Sequence, residues 1–139
     1  MPSAKHINVP TNDEIDYYMS EGCGIFAIAL SSFVSGDVYI ISNTAGDPWS
    51  RNIPYEITHV FFETNIGTYD AKGQRSVDKM AADFHLSHDQ YTRYGPFSAH
   101  DFKATFMGNS DKKPIFGGAK YIKKAITLIE QYRPFYLET

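Results

Sequence analysis

The longest apolar-rich run of the chain lies between Gly24 and Val34. Ile25, Phe26, Ala27, Ile28, Ala29, Leu30, Phe33 and Val34 cover nearly the whole circumference of a helix, which predicts a segment buried on most sides. This helix is expected from residue 23 to about 33, with Gly36-Asp37 ending it. Ahead of it, Thr11-Asn12-Asp13-Glu14 supplies the hydroxyl and carboxylate of a capping box. A short helix should therefore run from Asn12 to about Met19, broken by Ser20-Glu21-Gly22.

The pattern then changes to short β-branched and aromatic runs. Val38-Tyr39-Ile40-Ile41 reads as a strand, and residues 42–54, with Asn, Gly, Asp, two Pro and Trp49, read as a loop. The clearest strand is Ile57-Thr58-His59-Val60-Phe61-Phe62-Glu63. Asn65-Ile66-Gly67 turns it, and residues 68–71 return as the second arm of a hairpin. Ser76 caps a helix from 77 to 84 or 85, residues 87–96 read as polar and irregular, and Ser98 caps a helix over 99–106. Residues 108–114 read as a loop. A last helix, about 118–132, carries Tyr121, Ala125, Leu128 and Ile129 on one stripe, with Lys120, Lys123, Lys124 and Glu130 largely outside it; Pro134 stops it. The expectation is a single α+β domain over 1–139, with a buried helix packed on a small antiparallel sheet and further helices towards the C-terminus.

Composition narrows the function classes. The 139 residues suffice for one core, and the aromatic fraction is high at 15%, with ten Tyr and ten Phe. The net charge is −3, and only Lys120-Tyr-Ile-Lys-Lys124 approaches a basic cluster, so no nucleic-acid partner is expected. No run approaches the roughly 20 apolar residues of a membrane span, and the N-terminus lacks the hydrophobic core of a signal peptide. With one cysteine there is no internal disulfide, and a reducing cytoplasm is the expected compartment. Oligomeric state is left open.

That cysteine is the main chemical candidate. Cys23 sits between Gly22 and Gly24, where a loop enters the apolar helix. Unpaired amides and the helix dipole at such a position favour a thiolate, and the glycines are expected to leave room for a substrate backbone. A nucleophilic thiol needs a base and a group to orient that base. Of the five histidines, His59 stands at the start of the best strand, from which it is expected to reach over the sheet edge towards the helix mouth, and Asp70 stands on the return strand. A loop of two or four residues at the turn pairs 61 with 70 and makes His59 and Asp70 diagonal neighbours on one face; a three-residue loop separates them. His85, His88-Asp89 and His100-Asp101 are candidate metal ligands, but Ser87 breaks the helix that would join the first two; no metal and no cofactor is expected.

Cys at a buried helix start, His on one strand and Asp on the next resembles the papain-like cysteine hydrolases, and in compactness NlpC/P60-type peptidases and small deamidase toxins of that fold. The likeness is to short bacterial and phage domains with a Gly/Cys-rich helix start, a His-Val-Phe-Val-like strand and a Tyr-Asp-Ala/Ile-Lys/Glu-Gly-like strand. It covers about residues 21–73. The resemblance implies Cys23 as nucleophile, His59 as base, Asp70 as orienting acid, and a peptide or protein substrate with a scissile amide cleaved by a peptidase, amidase or deamidase reaction. No glutamine stands just ahead of Cys23 as it does in papain, so the oxyanion would fall to the amides of Cys23 and Gly24, with Gly22, Tyr17, Tyr18 or Ser20 nearby. Trp49 is read as a lid or partner anchor. The alternative is a non-catalytic phage or mobile-element accessory protein that binds a host protein, with Cys23 as packing, His59 as a strand residue and Asp70 bonded to its own turn.

Overall fold

The computed structural model describes residues 8–20, 22–43, 57–106 and 120–137. The elements are α1 (Asn12–Ile15), a 3-10 turn (Asp16–Met19), α2 (Cys23–Leu30), β1 (Asp37–Asn43), β2 (His59–Thr64), β3 (Gly67–Asp70), β4 (Gly73–Gln74), α3 (Val77–Ala82), β5 (Tyr91–Phe97), α4 (Ala99–Phe106), α5 (Lys120–Gln131) and α6 (Arg133–Tyr136). The strands form one antiparallel sheet in the order β4-β3-β2-β1-β5, so the fold is α+β.

The capping box forms as the sequence predicts: Glu14 N–H donates to the Thr11 hydroxyl and Thr11 N–H donates to the Glu14 carboxylate. Every residue of α2 is buried. The helix is shorter than expected because its C-terminal turn tightens: Ser32 N–H and Phe33 N–H close on the carbonyls of Ala29 and Leu30, three residues back. α2 lies against Val38, Ile40, Val60, Phe62 and Tyr69, and Ala125, Leu128 and Ile129 of α5 join the same core. The other face of the sheet carries Ile41 and Phe61 with Met80 of α3. Alternation along each strand sends neighbouring side chains into these two layers.

Two segments differ from their expectation. β1 extends through Ser42 and Asn43, which the sequence reading placed in a loop; the rest of that loop, and residues 108–114, lie outside the described residues. The irregular stretch at 87–96 contains most of β5, which pairs with β1 from Val38↔Phe97 to Asn43↔Tyr91. Between Val38 and Ile40 the register gains one residue on β5, so Tyr94 and Phe97, three apart, both pack against the α2 core. That bulge erases the period of two, and Pro96 is tolerated because β5 is an edge strand within the described sheet. α3 stops at Ala82; His85 then takes a left-handed φ of 63°, and Leu86 N–H closes on the Ala81 carbonyl. Among the described residues no helix is long and apolar enough to cross a membrane.

Replacing Phe26, which is 1% exposed and packs its ring on Tyr18 and Tyr136, is expected to be costly. Urea unfolding should show Phe26→Ala losing about 3–5 kcal/mol, while Val9→Ala at a 58% exposed position stays within about 0.5 kcal/mol. Equal midpoints for the two variants would contradict this core assignment.

Candidate active site

The turn between β2 and β3 decides which side chains meet. Asn65 and Ile66 form a two-residue connection, and the pairs Thr64↔Gly67, Glu63↔Thr68 and Phe62↔Tyr69 follow. This register places His59 and Asp70 on one face, as a two-residue loop requires. His59 Nε2 and Asp70 Oδ2 lie 3.0 Å apart, and the two residues are 0% and 3% exposed. The carboxylate accepts there, so Nε2 is the donor. Nδ1 is buried and has no hydrogen-bond partner among the described residues. The Phe84 ring covers the imidazole, with centroids 5.2 Å apart.

Asp70 is held from three further directions. Lys72 N–H donates to Oδ1 at 2.9 Å, closing an Asx-type turn that Gly73 completes with φ +96°. Arg75 Nε lies 3.1 Å from Oδ1, and Arg75 Nη2 lies 2.9 Å from Oδ2. Arg75 also pairs with Asp83, which Lys72 Nζ reaches at 3.2 Å. Burial by itself would raise the Asp70 carboxyl, but hydrogen bonds from His59 and Arg75, together with the positive charge of Arg75, bring it below the ordinary carboxylate value. Asp70 therefore serves its own turn as well as His59.

Cys23 is the first residue of α2, with Gly22 as its N-cap. The backbone amides of Val60, Gly24 and Cys23 lie near enough to its sulfur to favour the thiolate. Val60 follows His59 on β2. Three expectations about Cys23 are corrected. The side chain is 4% exposed, and burial pushes the thiol up to about 12, outweighing the amides; the Asp70 charge adds to the rise. The helix start therefore holds a neutral thiol, because removing the sulfur from water costs the anion more than the amide dipoles return. The pleat sends His59 with Ile41 and Phe61 to the face opposite α2, so its ring does not lean over the helix mouth, and no hydrogen bond joins it to Cys23. The space beside Gly22 is filled: a Cβ there would lie 2.6 Å from Tyr17 Cδ2 and 3.1 Å from the Tyr17 carbonyl oxygen. Tyr17, not a substrate backbone, uses the room that the glycine leaves.

The remaining candidates divide as follows. Gly24 is buried within α2, with its amide near the Cys23 sulfur. Tyr18 is 8% exposed, with its ring packed edge-on against Tyr17 and tilted on Phe26. Ser20 is exposed and its hydroxyl donates to the Asp16 carbonyl. Trp49 lies outside the described residues. His88 pairs with Asp78, and among the described residues no group of three or more His, Cys, Asp or Glu side chains is placed to hold a metal. Arg75 was missed by the sequence reading. The available signal was the Asp70-Ala71-Lys72-Gly73 turn, which folds the chain back and returns residue 75 to the carboxylate.

Two ionisations give stability opposite slopes at the two ends of the pH range. The Asp70 carboxyl is lowered on folding, so its contribution is full above its unfolded value near 3.8 and disappears as pH falls through the folded value. The stability gap between the native protein and Asp70→Asn should therefore shrink on acidification. The Cys23 thiol is raised from 9.0 to about 12, so the unfolded chain loses its proton first and stability falls across that interval. Cys23→Ala should show a shallower decline there, measured as chemical denaturation against pH. Parallel curves for native protein and variant would contradict the corresponding assignment.

No family model, curated protein or solved structure matches the chain.

Proposed function

We propose that the protein is a papain-like, cysteine-dependent hydrolase of amide bonds, with Cys23 as nucleophile, His59 as base and Asp70 as orienting acid. One observation carries the reading. The buried His59–Asp70 pair leaves Nδ1 without a hydrogen-bond partner among the described residues, on the residue next to Val60, whose amide lies near the Cys23 sulfur. A buried imidazole nitrogen without a partner costs stability, and a catalytic role is one reason for a protein to keep it.

The mechanism starts from the neutral thiol. Substrate must displace the groups over Cys23 and draw the imidazole towards it, since catalytic hydrogen bonds often tighten only in the substrate complex. His59 Nδ1 then takes the thiol proton as Sγ bonds to the carbonyl carbon. Amides at the start of α2 stabilise the oxyanion, each donor being worth about 3–4 kcal/mol. As the C–N bond breaks, the imidazolium returns the proton to the leaving amine. Water, deprotonated by His59, adds to the thioester, and the acid leaves as the sulfur regains a proton. The same steps serve a peptidase, an amidase or a deamidase.

The buried neutral sulfur favours a second reading, a non-catalytic α+β protein that binds a host protein. In it, Cys23 is packing and the Arg75–Asp70–His59 network is structural.

A peptidyl chloromethyl ketone, which can enter as a substrate would, separates the two. Under the hydrolase reading, it alkylates native Cys23 between pH 6 and 8 faster than the protein unfolds, and His59→Ala slows this by about 10²-fold or more. Intact mass and an unfolding rate measured on the same sample supply both numbers. Alkylation that only keeps pace with unfolding, and is indifferent to His59, would overturn the hydrolase reading and support the binding protein.

A further inference from the structure

Arg75 stands between two elements that would otherwise be independent. Its backbone is fixed across β3: Arg75 N–H donates to the Thr68 carbonyl at 3.0 Å, and the Thr68 hydroxyl donates to the Arg75 carbonyl at 2.6 Å. Its guanidinium spans Asp70 and Asp83, with the side chain 14% exposed. Nε and Nη2 engage both oxygens of Asp70, a two-point grip that fixes the plane of the carboxylate as well as its charge. Lys72 N–H takes the remaining direction at Oδ1. With Oδ1 committed to the turn, Oδ2 is the oxygen presented to His59 Nε2.

We propose that Arg75 is a positioning residue that, by fixing the Asp70 carboxylate and anchoring it to Asp83 beyond α3, holds His59 in the Nε2–H tautomer with Nδ1 free to accept a proton. Its service to the reaction rests on the hydrolase reading above; its action on His59 does not. The route is Asp83 to Arg75 to Asp70 to His59. Lysine at position 75 would keep a positive charge but lose the planar fork, so the charge alone would not restore the orientation. The charged and titratable groups around Asp70 are His59 and Arg75 in contact, with Cys23 and Tyr136 within electrostatic reach; Asp83 and Lys72 complete the outer ring.

Nitrogen NMR of the His59 ring in uniformly ¹⁵N-labelled protein tests this. With the ring in its neutral form, native protein should show one protonated nitrogen, Nε2, and one unprotonated nitrogen, Nδ1. In Arg75→Gln the two resonances should move towards averaged positions, and Arg75→Lys should fall between Gln and native. A residue with only a structural role would lower the unfolding midpoint and leave the His59 pattern of the folded protein unchanged, and that result overturns the proposal. Asp83→Asn loosens the far anchor without touching Asp70, so it should shift the pattern in the same direction if Arg75→Gln does not fold; an unshifted pattern there also counts against the proposal. Native Cys23 that resists alkylation while His59 responds to Arg75 would sink the hydrolase reading and leave the positioning role standing.

Discussion

The charge of Asp70 inside the protein is the constraint from which the rest of the site follows. A carboxylate with almost no exposure must be surrounded by donors, and here every direction is used: a turn amide, an imidazole and a guanidinium. Each donor draws its own segment inward. The Lys72 amide sets the tight return into β4, Arg75 ties that return to Asp83, and His59 brings the start of β2 under Phe84. Removing any one donor would leave a buried anion short of a partner, which is far more costly than never having formed the pair.

Against this anion lies a sulfur that remains a thiol. The nearby amides of Val60, Gly24 and Cys23 favour the thiolate, yet burial in the core and the neighbouring negative charge of Asp70 oppose a second anion. Tyr17 closes the side of the loop at Gly22, held by its ring contact with Tyr121 on α5. The resting arrangement is therefore a closed one. On the hydrolase reading, a reaction at Cys23 requires the proton and the covering groups to move together, which would couple chemistry to substrate entry.

Much of the fold was legible in the sequence because its signals were local. Thr11 and Glu14 cap α1, Ser76 caps α3, and the uninterrupted apolar run from Gly24 to Leu30 announces the buried helix. The His59–Asp70 pairing was legible too, conditional on the length of one turn, and Asn65-Ile66 met that condition. The features that escaped depend on distant partners. β5 hides its period behind a bulge, and β4 is only two residues long. The state of Cys23 could not be read from its glycine neighbours, because burial by the rest of the core outweighs the helix start. The direction of the His59 ring was set by the pleat shared with Ile41 and Phe61, a property of the sheet and not of the helix it was expected to meet.

The hydrolase reading requires Cys23 and His59, which share no hydrogen bond at rest, to act on one substrate. The most direct measurement is a crystal structure of the protein after treatment with a peptidyl chloromethyl ketone. The hydrolase reading predicts a thioether at Cys23 and the His59 ring still bonded to Asp70, with Nδ1 now within about 3.5 Å of the sulfur or the trapped oxygen. An unmodified sulfur sealed under Tyr17, or an adduct with Nδ1 still unpartnered beneath Phe84, would contradict it.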